Sequence, residues 1–141
     1  SGRGSGDYPT IERFDYVEDV VIGHTGKAFL TYSQRTRSTS GQPLHAEVGY
    51  IRMPGPGRVE LVIAHPSGVA EIDEGTVTVD HTGLLIEVHS TAVALTTTAK
   101  DVAALKRSFR MNGDSLEYTL EMGAVGRPMQ HHLSATLHRQ S

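Results

Sequence analysis

The chain contains no cysteine and no tryptophan, and aromatic residues make up only 6% of its 141 positions. Without thiols there can be no disulfide, no thiolate nucleophile and no zinc–thiolate centre, although that absence names no compartment. No apolar run approaches the roughly 20 residues that a membrane-spanning helix requires, so no membrane partner is expected. An excess of basic charge is also lacking: 13 Lys and Arg face 16 Asp and Glu, for a net charge of −3. That balance speaks against a nucleic-acid-binding surface. No glycine-rich phosphate loop and no zinc-protease helix motif occur, and Ser67 in Pro66-Ser67-Gly68 lacks the flanking glycine of a nucleophile elbow. A hydrophobic content of 38% with 21% charged residues is that of an ordinary globule. The length suits one domain, residues 1–141, with a core of its own, and the composition is compatible with a cytoplasmic location.

What the chain does have is punctuation. Turn signals recur at His24-Thr25-Gly26, Ser40-Gly41-Gln42-Pro43, Pro54-Gly55-Pro56-Gly57, Pro66-Ser67-Gly68, Glu74-Gly75, His81-Thr82-Gly83, Asn112-Gly113 and Gly126-Arg127-Pro128. Between them lie short runs rich in β-branched and aromatic residues: 14–22, 29–36, 45–53, 59–64, 76–79, 84–88, 116–125 and 132–138. Short strands at such spacing predict an all-β antiparallel barrel or sandwich, with the barrel favoured. Asn112-Gly113 is the strongest hairpin signal. Tyr118, Leu120, Met122 and Ala124 fall on one face of a strand. The stretch from Thr96 to Arg110 reads equally as a strand or as a helical turn or two. Ser1-Gly2-Arg3-Gly4-Ser5-Gly6 has the composition of a flexible linker.

Eight histidines are present, and three of them (His131, His132 and His138) fall close together near the C-terminal end. With Cys absent, imidazole is the strongest soft-metal ligand available, and it is a standard axial ligand of haem iron. The plainer alternatives are surface residues of a half-exposed strand or the remnant of a tag. His81 and His89 read as surface residues. His45 opens a strand, and His65 ends the run from Val59 to Ala64, so both suit a barrel rim facing either a ligand or water.

Particular segments carry a resemblance. Tyr8-Pro9-Thr10-Ile11, Pro43-Leu44-His45-Ala46-Glu47-Val48-Gly49-Tyr50, Glu60-Leu61-Val62-Ile63-Ala64-His65-Pro66-Ser67-Gly68 and Pro128-Met129-Gln130-His131-His132-Leu133-Ser134-Ala135-Thr136-Leu137 resemble consecutive signatures of the nitrobindins, in order and over nearly the whole chain. The likeness is closest to actinobacterial members. It implies an antiparallel barrel of about ten strands, related in shape to lipocalins and fatty-acid-binding proteins. It also implies one haem b per chain, mostly ferric and solvent-accessible at one barrel end, which reversibly binds nitric oxide and isomerises peroxynitrite to nitrate.

The resemblance assigns the axial iron ligand to His132, leaving His131 and His138 as neighbours. Leu44, His45, His65 and Met122 fall on positions that line the cofactor cavity. Arg107 falls on a basic position at the haem edge, where it would pair with a propionate. No catalytic group beyond the haem iron is expected. Small-molecule ligands are the implied partners, and the implied state is a monomer or weak homodimer. The family pattern opens with Gly-x-Trp-x-Gly-x-Gly after a short helical segment, whereas here it starts only at Ser1-Gly2-Arg3-Gly4. The N-terminal part of the pattern is therefore expected to be missing, and residues 1–6 to be the second half of a first strand. That shortening puts barrel closure in question and would leave edges free to pair between chains.

One conflict remains within the sequence. Leu133, Ala135 and Leu137 share the face expected to point inward, so His132 falls on the other face. Reaching an interior iron requires either a bulge near Gln130 or a pocket lined by the polar face. Two other readings stand beside haem: a non-enzymatic barrel carrying a fatty acid or similar hydrophobic ligand, and a barrel that folds but binds nothing.

Overall fold

A computed structural model describes residues 1–140; Ser141, the last residue of the expected domain, lies outside the described residues. Ten strands follow one another: β1 (Gly2–Tyr8), β2 (Ile11–His24), β3 (Phe29–Ser38), β4 (Pro43–Arg52), β5 (Arg58–Ala64), β6 (Val69–Asp80), β7 (Gly83–Leu95), β8 (Val102–Asn112), β9 (Ser115–Ala124) and β10 (Gln130–His138). Each pairs antiparallel with its sequence neighbours, and β1 pairs with both β2 and β10, so the sheet closes on itself.

The glycine-rich start is therefore a strand and not a linker. Its register runs from Gly2 opposite Leu137 to Gly6 opposite Leu133. A Cβ on Gly4 would collide with the Tyr16 ring, and one on Gly6 with Leu133 and Phe14, so these glycines let large neighbours fill the barrel seam. Closure is complete, and no free β1 or β10 edge is left. The ambiguous stretch from Thr96 to Arg110 resolves as a loop followed by β8, with no helical turn. Gly75, read from sequence as a turn residue, sits inside β6, where its missing side chain admits the Glu87 carbonyl of β7. β6 and β7 run well beyond the short segments expected. Gly113, with φ of 60°, does form the tight turn between β8 and β9.

Alternation sorts the interior into layers. The end nearest the β4–β5 and β8–β9 turns is apolar, built on Tyr32, Ile51, Val59, Leu61, Ile63 and Val88, with Val20, Leu30, Ile86 and Phe109 packed against them. A second cluster of Tyr16, Tyr118, Ala135 and Leu137 fills the seam side. An apolar void among Val20, Tyr32, Ile51, Leu61 and Phe109 holds about 40 Å3. That is a water-sized space, with no room for an acyl chain. Above the apolar floor lies a buried polar layer of Glu18, Gln34, Glu47, Glu71, Asp73 and Arg107.

Candidate functional site

Antiparallel order brings one set of strand ends together: the ends of β1, β3, β5, β7 and β9 and the starts of β2, β4, β6, β8 and β10. Leu44, His45, His65, Met122 and His132 all belong to this end. The sequence scatters them over 89 positions, from 44 to 132, and the topology gathers them at one mouth.

His132 stands in a β-bulge. Along β10, His131 is opposite Glu121 and Leu133 is opposite Leu120, which leaves His132 as the extra residue without a cross-strand partner on β9. This resolves the conflict of faces, because a bulge re-aims one side chain while Leu133, Ala135 and Leu137 keep their places. A second irregularity lies across the seam, where the β1–β2 register shifts between Gly6 and Tyr8. The Asp7 carbonyl thereby meets the imidazole, and His132 Nδ1 donates to it at 2.8 Å.

A carbonyl only accepts, so the proton is on Nδ1 and the lone pair of the neutral ring is on Nε2. Burial lowers the His132 pKa below its ordinary value, against the opposing pull of the Asp7 carbonyl, and keeps the ring neutral. The Tyr8 ring meets it edge to face, with centroids 5.4 Å apart and planes at 79°. Tyr8 is itself fixed: its hydroxyl donates to the Met122 carbonyl at 3.0 Å and accepts the Ala124 amide at 2.9 Å. Met122 is half-buried on the inward face of β9, opposite Gln130.

His65 is set by the turn that follows β5. Its amide donates to the Val69 carbonyl at 2.8 Å, and Gly68, at φ of 90°, donates back to the His65 carbonyl at 3.1 Å. Pro66 at the second turn position and glycine at the left-handed position are what such a hairpin needs. His45 is set by Thr36, whose hydroxyl accepts the His45 amide at 3.0 Å where the β3–β4 register shifts. Leu44, the extra residue at that shift, is left half exposed.

His45 Nε2 and His65 Nδ1 lie 3.1 Å apart. Each is 3.5 Å from Glu47 Oε2. On its other side, His65 Nε2 is 2.7 Å from Glu71 Oε1.

Arg107 requires a correction. Its ladder partners Val88 and Leu120 face inward, and so does it. Only 3% exposed, its guanidinium bonds Glu47 Oε1 at 2.7 Å and Oε2 at 3.3 Å, bonds Glu71 through Nη2, and approaches Asp73 Oδ2 at 3.6 Å. It is a buried structural cation and not a free haem-edge partner. Burial pushes the carboxyls of this layer upward, but the guanidinium and the neighbouring histidines together outweigh it at Glu47 and Glu71, which are held ionised. Burial and the adjacent Glu71 charge push Asp73 the other way, toward the protonated form. Removing one member of such a network leaves a buried charge exposed to no partner, at a cost of about 3–5 kcal/mol.

Glu47, Glu71 and Asp7 were not singled out from sequence. Glu47 follows His45 by two, so strand alternation alone places both on one face. Asp7 contributes a backbone carbonyl, for which no residue type is a signal.

Residues 1–139 match the family described as the THAP4-like, heme-binding beta-barrel domain. The chain is 58% identical to peroxynitrite isomerase 2 of Mycobacterium marinum over 142 residues, covering 100% of this chain and 88% of that protein. It is 54% identical to peroxynitrite isomerase 1 of Mycobacterium tuberculosis over 144 residues, covering 99% and 88%. The crystal structure of Rv2717c from M. tuberculosis superposes with a TM-score of 0.97 at 53% identity, covering 99% of this chain and 89% of that one.

Proposed function

The chain belongs to the THAP4-like, heme-binding β-barrel family, and from that membership we propose that it is a haem-dependent peroxynitrite isomerase that also binds nitric oxide. In this reading His132 would hold the haem iron, with one haem b per chain. The observation that carries the assignment is the hydrogen bond from His132 Nδ1 to the Asp7 carbonyl. Metal-ligating histidines use their second nitrogen in this way, which fixes the tautomer and raises the basicity of the ligating atom.

The residues present fit the cofactor. A neutral imidazole with its lone pair on Nε2 sits at the barrel mouth, locked by a backbone carbonyl and an aromatic edge. Bound ferric haem would supply Lewis acidity toward an anionic oxidant and an open position for a diatomic ligand. The chain's part is to anchor and to orient. Tyr8 holds the ring plane, the β10 bulge presents it, and Met122 and Leu44 offer apolar surface at the same end. His45 and His65 place imidazole rings at this mouth, His45 the more exposed of the two. Arg107 keeps the floor of the site rigid through Glu47 and Glu71.

The water-sized void in the apolar half weighs against a fatty-acid carrier. Among the described residues no helix is long and apolar enough to cross a membrane. The cytoplasm is the compartment this reading takes. It also takes a monomer or weak homodimer. Val48, Tyr50, Val62 and Ile72 form exposed apolar surface on the outer wall, the kind of patch through which weak pairing occurs.

Reconstitution with hemin tests the ligand. Wild type should show a histidine-ligated Soret band, and His132→Ala should lose haem affinity at least tenfold with a shifted band. An unchanged band and affinity would remove His132 from the role.

A further inference from the structure

We propose that His45, Glu47 and His65 form a binding site for a divalent first-row transition cation of the zinc type, separate from the His132 ligand. The three side chains each bring one ligand atom into a single cluster: His45 Nε2, Glu47 Oε2 and His65 Nδ1. Their separations are 3.1, 3.5 and 3.5 Å. Bonds of the usual length to zinc, arranged tetrahedrally, place neighbouring ligand atoms about 3.3–3.4 Å apart. The triangle therefore has the size of one tetrahedral face before any ion is present.

The surrounding groups are those that such a site requires. Glu71 Oε1 lies 2.7 Å from His65 Nε2 and can only accept, so Nε2 carries the proton and the Nδ1 lone pair is left as an acceptor beside His45 Nε2, 3.1 Å away. With no ion bound, His45 Nε2–H donates to that lone pair; a cation at the centre of the triangle would take the place of this proton. Carboxylate, histidine and metal in line is the usual support of a metal-bound imidazole. Glu47 is positioned from behind, with Oε1 accepting from the Tyr32 hydroxyl at 2.8 Å and from Arg107. Counting charge, Glu47 and Glu71 carry two negatives against the single positive of Arg107, and a cation offsets the remainder. His45 is 36% exposed while His65 is 9% exposed, so the fourth coordination position opens toward the mouth. Two imidazoles and one carboxylate suit zinc and its neighbours and not calcium or magnesium.

Zinc chloride titrated calorimetrically into the 141-residue chain, at pH 7.5, tests the site. One ion per chain is expected. His45→Gln and His65→Gln should each weaken binding more than tenfold, and Glu71→Gln, which removes the supporting carboxylate together with a partner of Arg107, by about 10–100-fold. His131→Ala and His132→Ala should leave zinc affinity unchanged. A wild type that binds no more tightly than His45→Gln overturns the site, as does loss of binding in the His131 or His132 variant. His45 is partly exposed and outside the Arg107 network, so its variant decides the matter should the buried ones fail to fold. Loss of haem from His132→Ala with zinc retained, or the reverse, separates this proposal from the haem assignment.

Discussion

Glu18, like Asp73, is a fully buried carboxylate. It is 0% exposed, and neither carboxylate oxygen has a hydrogen-bond partner among the described residues. Burial pushes its pKa from 4.5 up to about 7. A raised acid stabilises the folded state fully below its unfolded value, and that contribution is lost as pH rises through the folded value. Glu18→Gln should therefore gain stability relative to wild type between pH 5 and pH 8, by roughly 2–3 kcal/mol. Urea unfolding at the two pH values measures it, and a pH-independent difference would contradict the buried charge. His132 runs in the opposite direction. Its depressed pKa means that the folded chain resists protonation, so stability present above 6.5 declines as pH falls below it. Observed by NMR in the haem-free chain, the His132 ring should titrate with a midpoint below 6.5. A midpoint at or above that value would remove the desolvated environment.

At the scale of elements, the bulge in β10 interrupts the ladder with β9, and Tyr8 from β1 bridges the interruption. Tyr8→Phe keeps the ring against His132 but leaves the buried Ala124 amide without its acceptor. The expected cost is about 1–3 kcal/mol in denaturant unfolding, together with weaker haem retention as the His132 edge contact loosens. A variant as stable as wild type would show that the bridge is dispensable. Strand existence was legible where turn chemistry and alternation agreed, as at Asn112-Gly113 and along Tyr118 to Ala124. It failed where glycine served packing instead of turning: Gly75 looked like punctuation but is a point of close backbone approach. The bulge was legible only as a contradiction, since alternation sent His132 outward while the resemblance needed it at the iron. The buried carboxylates were illegible for a different reason. A Glu in a strand reads as solvent-facing until the barrel supplies the Arg107 that pairs with it.

For the whole molecule, closure depends on the glycine-rich first strand. Deleting residues 1–6 removes most of β1 and bares the ladder edges of β2 and β10, which are then free to pair with another chain. Size-exclusion chromatography should show dimers or larger species at concentrations where the full chain does not, and a monomeric truncated chain would contradict the role of β1. The gathering of the predicted site residues at one mouth is a property of this closed order and of no single segment. Sequence signatures marked which residues belong together, while the order of strands determines that they meet.

The bond between His132 and the Asp7 carbonyl joins residues 125 positions apart, and this separation sets a sequence of events. A chain still emerging from the ribosome holds Asp7 long before it holds His132, and the two meet only when β10 docks between β1 and β9. Until then the imidazole is free to rotate, its tautomer is unfixed and no neutral lone pair is presented at the mouth. Capture of a cofactor by this residue is thus confined to the finished barrel, and a nascent or partly unfolded chain has no competent ligand with which to take one up.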